Sequence, residues 1–296
     1  MKRPKVLVLR GAGTNCDIET CNAFTAAGGE PELVHAGELV EGVKKFADYA
    51  ILALPGGFSY GDDISAGKIL AVKLRTLKAD LGKFIASRRP VIGICNGFQV
   101  LVKTGFLPHD RSGRQLATLA ANDCGRNRAT LSAVGAGSSA TGHFIAKWER
   151  LKVNKLSPCL FTKGLPDEIE LPIAHGEGKF ITVPAEMAKI KRGNLCALSY
   201  VANPNGSMAD LAGLTNPEGT VLGLMPHPER FFFPWQAQNR RPVAELGTTS
   251  LRLHRCRALC RPARAPTAAK AALIRPGADF LPPGYLFFKN AVDYAG

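Results

Sequence analysis

Short runs of Val, Ile and Leu alternate with amphipathic stretches through the first hundred residues. Lys5–Leu9, Glu32–His35, Tyr49–Leu54 and Val91–Ile94 predict strands, while Cys16–Ala27 and Ser65–Ser87 predict helices between them. Aliphatic strands separated by helices are the pattern of a parallel sheet covered on both faces. Ligands of such sheets bind beyond the carboxyl ends of the strands. Three of the predicted strands end in turns of special composition: Gly11-Ala12-Gly13-Thr14-Asn15, Pro55-Gly56-Gly57-Phe58-Ser59-Tyr60-Gly61-Asp62 and Cys95-Asn96-Gly97. The expected fold is an open, mostly parallel α/β sheet of the flavodoxin-like kind, and these turns should meet on one edge of it.

Beyond Leu116 the pattern loosens. Leu116–Ala121 and Phe144–Val153 predict the two strands of a hairpin, interrupted by 127–143, where twelve of seventeen residues are Gly, Ala, Ser or Thr. That composition predicts a flexible insertion. Residues 238–283 are likewise aperiodic, rich in Arg, Ala and Pro, before Tyr285–Tyr294 resumes a helical period. Either stretch fits a surface insertion or a disturbed reading frame.

Composition narrows the class. The chain has 296 residues, 46% of them apolar, with mean hydropathy −0.00. That supports one large domain or two small ones, and a single domain spanning 1–296 is the expectation. No window reaches the roughly 18 apolar residues of a membrane span. Val6–Leu9 is too short for a signal-peptide core, so a cytoplasmic protein is expected. Net charge is +14, but residues 238–275 carry nine basic side chains against Glu245 alone. The basicity is therefore local. It leaves open a non-catalytic nucleic-acid-binding module, although 238–275 contains no aromatic residue on which bases could stack. Eight cysteines in this length are too sparse for a disulfide scaffold. His254, Cys256 and Cys260 offer three soft ligands without a fourth, so no metal is expected there.

Chemistry concentrates in two segments. Gly93-Ile94-Cys95-Asn96-Gly97 follows a strand and precedes the helical Phe98–Lys103, which is the nucleophile-elbow pattern with cysteine as nucleophile. The glycines let the chain turn sharply. The turn lifts the thiol above the sheet at a helix N-terminus, whose dipole favours a thiolate. Pro226-His227-Pro228-Glu229, after the strand-like Thr220–Met225, supplies a base and an acid to orient it. A tetrahedral oxyanion needs two preorganised donors. The backbone N–H of Asn96 and one from the Gly56-Gly57 turn are the candidates.

These residues resemble a known family. Gly93-Ile94-Cys95-Asn96-Gly97-Phe98-Gln99 with the Cys…His-x-Glu order is similar to the class I, triad-type glutamine amidotransferases. Gly13-Thr14-Asn15-Cys16-Asp17, the Pro55–Asp62 turn, Ala174-His175-Gly176-Glu177-Gly178-Lys179-Phe180, Asn203–Ser207 and Met225–Arg230 narrow the resemblance. They resemble the glutaminase subunits of phosphoribosylformylglycinamidine synthase, a purine-biosynthesis complex, over roughly 4–126, 144–237 and 284–295. The resemblance implies hydrolysis of glutamine to glutamate and ammonia through a Cys95 thioester. His227 would shuttle protons, Glu229 would orient it, and Gly57 and Asn96 would stand at the oxyanion. It also implies that Gly56, Phe58, Gln99 and His175 contact glutamine, with the roles of His175 and Glu177 left open. The implied partners are a synthetase subunit binding ATP, magnesium and the ribonucleotide, and a small accessory subunit. No cofactor is implied for this chain, which has no Walker-type loop, and Gly11-x-Gly13 lacks the third glycine of a dinucleotide fingerprint. Another triad glutaminase, or a cysteine hydrolase of the same fold, is the alternative within enzymes.

Overall fold

A computed structural model describes residues 3–57, 77–108, 114–123, 143–236 and 281–296. The proposed insertions, apart from their described margins at His143 and at 281–283, lie outside these residues, as do Phe58, the first half of the Ser65–Ser87 helix and the His254/Cys256/Cys260 group. Among the described residues a nine-stranded sheet runs in the order β2-β1-β3-β4-β11-β10-β9-β6-β7. Its first half comprises β1 (Lys5–Arg10), β2 (Glu30–His35), β3 (Ile51–Leu54), β4 (Val91–Ile94) and β11 (Val221–Leu224). All four pairings in that half are parallel. The remaining strands, β6 (Ile145–Val153), β7 (Glu168–His175), β9 (Cys196–Tyr200) and β10 (Leu211–Thr215), extend it antiparallel. The expected α/β sheet is present, and its parallel half carries the site.

The parallel strands are aliphatic because they are buried on both faces: every residue of β3, β4 and β11 is buried. Helix α1 (Asp17–Ala27) and the final helix, labelled α6 (Pro283–Ala295), pack against each other through an edge-to-face pair, Phe24 and Phe288, with ring centroids 5.0 Å apart. Of the remaining helices, α2 (Ala36–Val40) follows β2, α3 (Lys78–Ala86) precedes β4, and α5 (Pro184–Arg192) begins at a proline.

Helix α4 (Asn96–Lys103) is seated by glycine. Gly93 of β4 and Gly223 of β11 stand side by side in register. A Cβ at Gly223 would lie 2.1 Å from the Phe98 ring, and one at Gly93 would lie 2.6 Å from Leu101. The two glycines thus open a trough into which the first two turns of α4 settle. Gly97 is tighter still, since a Cβ there would fall 2.0 Å from the Leu54 carbonyl oxygen at the end of β3.

The predicted hairpin does not form. Strand β5 (Ala117–Ala120) pairs antiparallel with β8 (Lys179–Thr182) in a separate two-stranded sheet, while β6 pairs with β7 and β9. The reason lies in matched faces. Ala117 and Leu119 of β5 meet the buried Phe180 and Thr182, whereas Leu151 and Val153 of β6 join Ile169, Leu171 and Ile173 of β7 in the main core. Adjacency in sequence gave way to complementary burial.

Candidate active site

The carboxyl edge of the parallel half gathers the turns singled out in the sequence. Cys95 follows β4 directly and caps α4 with φ 50° and ψ −101°, a left-handed φ that is strained for a residue with a side chain. Its N–H donates to the Leu224 carbonyl of β11 at 2.7 Å, and its thiol donates to the Ala174 carbonyl at the end of β7 at 3.6 Å. The strain holds the sulfur at the site instead of letting it fold into the core.

His227 follows β11, the strand beside β4. Its backbone N–H donates to the Pro172 carbonyl of β7 at 2.8 Å, fixing the chain as it leaves the sheet. Its Nδ1 lies 2.6 Å from a Glu229 carboxylate oxygen, and both side chains are buried. Burial opposes the imidazolium, yet the Glu229 charge and the neighbouring thiols outweigh it, holding the His227 pKa well above its ordinary value. Nδ1 therefore carries a proton toward Glu229, and Nε2 is the free face of the ring. Nε2 is buried, with both Cys95 and Cys16 against the imidazole but no well-aligned hydrogen bond to either. Cysteine, imidazole and carboxylate thus form a chain that can deprotonate a thiol and pass the proton to a leaving amine.

The Gly56-Gly57 turn leaves β3 next to them. A Cβ on Gly56 would lie 2.8 Å from His227 and 3.5 Å from the Cys95 Cβ, so only glycine fits there. Gly57 adopts φ 137° and bridges to Thr14 in the turn after β1. Asn96 begins α4, so its main chain lies at the helix's positive end, and its side chain donates to the Gln99 carbonyl oxygen at 2.9 Å. The glycine turn thus packs against the elbow, the imidazole and the Cys16 sulfur.

The other predicted contacts behave differently. The Gln99 amide is spent within the protein, accepting from Asn96 and donating to the Glu177 carbonyl at 2.7 Å. It ties the elbow to the loop carrying Glu177. His175 is buried at the end of β7, where Nδ1 meets Asn122 Oδ1 at 3.1 Å. Asn122 donates its own amide hydrogens to the His143 and His175 carbonyls, which leaves Oδ1 as acceptor and puts the His175 proton on Nδ1. Burial, with repulsion from His227, pushes the His175 pKa down to about 3, so this ring is neutral.

One group escaped the sequence reading. Cys16, at the end of the first turn, is buried against Gly56, with its sulfur 3.2 Å from where a Gly56 Cβ would stand. The thiol donates to Asn15 at 3.2 Å and accepts from the Arg230 guanidinium at 3.1 Å, while Arg230 also pairs with Glu19 at 3.2 Å. Its signal was the topology: β1 neighbours β3, so the residues after both must meet. Burial pushes the Cys16 thiol up, opposed chiefly by the neighbouring His227 imidazole. Burial pushes Cys21 and Cys196 further, to about 12, which makes those thiols inert.

Residues 3–255 match the model of the CobB/CobQ-like glutamine amidotransferase domain. The sequence is 43% identical over 240 residues to phosphoribosylformylglycinamidine synthase subunit PurQ of Dehalococcoides mccartyi, covering 78% of this chain and 87% of that one. It is 40% identical over 245 residues to the subunit of the same name from Methanococcus maripaludis, covering 78% and 83%. The chain belongs to the PurQ family. A solved structure described as PurLQS from Thermotoga maritima aligns with TM-score 0.61 and 31% identity, over 80% of this chain and 92% of that one. Membership of this family makes the chain a glutamine amidotransferase, which decides against the non-catalytic binding module. Among the described residues no helix is long and apolar enough to cross a membrane.

Proposed function

We propose that Cys95, His227 and Glu229 form the catalytic triad of the glutaminase component of phosphoribosylformylglycinamidine synthase. Cys95 attacks the side-chain amide of glutamine while its proton passes to His227 Nε2. The tetrahedral oxyanion is held by main-chain donors at Asn96 and Gly57. His227 then protonates the departing nitrogen as ammonia, and the thioester is hydrolysed to glutamate by water that the same imidazole deprotonates. Glu229 holds the ring through Nδ1 and stabilises the imidazolium. Gly56, Phe58 and His175 line the glutamine pocket in this reading. Gln99 serves it from one layer back, by setting the Asn96 side chain. Ammonia passes to a synthetase subunit that binds ATP and magnesium, within an assembly that includes a small accessory subunit; this chain needs no cofactor. We also read the chain as one amidotransferase domain, in which 127–143 and 238–283 are insertions.

The observation carrying this reading is the Cys95 thiol on a strained elbow beside a buried imidazole whose other nitrogen lies 2.6 Å from a carboxylate. Cys95→Ala in the assembled complex should abolish synthesis from glutamine and preserve synthesis from ammonium salts. Retained glutamine hydrolysis by that variant would sink the triad.

A further inference from the structure

The proposed reaction uses one thiol at His227, yet the site holds two. Cys16 is fully buried and touches the same imidazole as Cys95, and glutamine hydrolysis gives it nothing to do. The metal-binding atoms of Cys16, His227 and Glu229 lie within 4.8 Å of one another. Two of the buried polar atoms there, His227 Nε2 and the second Glu229 oxygen, have no hydrogen-bond partner.

From this cluster we infer an inhibitory site for a soft divalent cation, zinc above all, formed by Cys16 Sγ and His227 Nε2 with Glu229 behind the imidazole. The donor set suits zinc, which prefers thiolate and imidazole. Bonds of about 2.0–2.3 Å place neighbouring donors of a tetrahedral zinc roughly 3.3–3.8 Å apart, so side-chain rotation alone can close the cluster. A carboxylate on the far nitrogen of a ligating histidine is the arrangement that orients imidazole toward a metal. Glu229 already holds that place. Binding releases two protons to solvent, one from the Cys16 thiol and one from His227 Nε2, and the thiolate with Glu229 then offsets the two positive charges of the ion. Arg230, paired with Glu19, stands beside the thiolate that forms. The Cys95 thiol, against the same ring, can complete the ligand set. A bound ion takes the lone pair that His227 needs as base, so hydrolysis stops and returns when the ion is removed.

This inference rests on the proposed role of His227 only for its inhibitory consequence, and the test separates the two. Glutamine hydrolysis by the full chain should be inhibited by zinc chloride and restored by a chelator. Cys16→Ser should raise the inhibitory zinc concentration at least about tenfold relative to the variant's own uninhibited rate, whereas Cys196→Ser should not change it. Equal inhibition of parent and Cys16→Ser, or none in the parent, would overturn the site. Binding itself is read without activity in Cys95→Ser protein, which keeps Cys16 and His227. Cobalt chloride should there give a thiolate-to-metal charge-transfer band. The band should vanish in Cys16→Ser/Cys95→Ser, whose fold is checked by circular dichroism. A band that survives the double substitution, or is absent from Cys95→Ser, would refute Cys16 as a ligand, whatever becomes of the triad.

Discussion

Two buried histidines with opposite electrostatics sit within one site, and each leaves a mark on stability. His175 has its pKa pushed down to about 3 by burial, against about 6.5 in an unfolded chain. Between those values the unfolded state binds the extra proton, so folding weakens as pH falls below 6.5. At about 1.4 kcal/mol per pH unit, His175 alone removes about 2 kcal/mol between pH 6.5 and 5. His227 is raised, so its contribution is nearly constant over that window and is lost instead as pH rises above 6.5 toward its folded value. Urea titrations of parent and His175→Gln at pH 5 and 6.5 isolate the term, because the remaining carboxylates cancel in the difference. The parent should lose about 2 kcal/mol more than the variant on acidification, and equal losses would show that His175 is not held neutral. At this scale the elbow was legible, because glycine, cysteine and glycine at fixed spacing express their geometry locally. Cys16 was not, because its place beside His227 depends on four strands, β1, β3, β4 and β11, lying side by side. Gln99 was legible as part of the site but not in its partners, since Asn96 and Glu177 reach it from different loops.

Helix α6 illustrates how an element remote in sequence bears on the triad. Gly284, in its first turn, packs so closely on the segment around Glu229 that a Cβ would stand 2.2 Å from the carbonyl oxygens of both Pro228 and Phe231. These backbone atoms cannot yield as a flexible side chain would. Gly284→Val should therefore push the helix off, displace the Pro228–Arg230 turn and loosen Glu229 from His227. We expect a loss of at least about tenfold in glutamine turnover with little change in KM, because the damage falls on the orientation of the base rather than on the substrate pocket. Phe288→Ala, further along α6, removes the edge-to-face partner of Phe24 and should cost about 3–5 kcal/mol in stability. Unchanged turnover in Gly284→Val protein that keeps its melting temperature would show that α6 does not support the triad. The helix itself was legible from its period at Tyr285–Tyr294, and it starts slightly earlier, at Pro283. Strand β7 was less so, because Pro172 reads as a strand breaker although the alternation of Ile169, Leu171 and Ile173 runs through it. The proline is tolerated because β7 is the last strand of the sheet. The β5–β8 pairing was hidden for another reason: four-residue strands carry too little pattern to choose a partner.

At the scale of the whole molecule, the site opens on one edge of the sheet, where this family works beside a synthetase. Ammonia released into water is protonated and loses its nucleophilicity, so hydrolysis is useful only when a dry path to the acceptor is in place. The device able to enforce this is the Gly57 turn. It leaves β3 with a left-handed φ and, among the described residues, is braced by a bridge to Thr14 and by the Cys16 N–H on the Gly56 carbonyl at 3.3 Å. A shift of about an ångström in that turn would take its donor away from the oxyanion, and loss of one such donor costs roughly 10²–10³ in turnover. The same edge presents apolar side chains to solvent: Ile18 is 55% exposed in the first turn of α1, and Val40 and Val43, after β2, are 49% and 66% exposed. A partner seated there would cover them and press on the turn carrying Thr14, stabilising the productive geometry of Gly57. Glutamine hydrolysis by this chain alone should therefore be at least about tenfold slower than in the assembled complex with nucleotide and ribonucleotide bound. Thr14→Gly should narrow that ratio by slowing the complex, since the turn that braces Gly57 would lose the Thr14 Oγ1 that accepts from the Gly11 N–H and would gain backbone freedom. Ile18→Glu should leave the basal rate of the isolated chain in place while weakening stimulation, read as a higher synthetase concentration at half effect. Equal turnover with and without the synthetase would refute the coupling and leave the Gly57 turn a preformed part of the site.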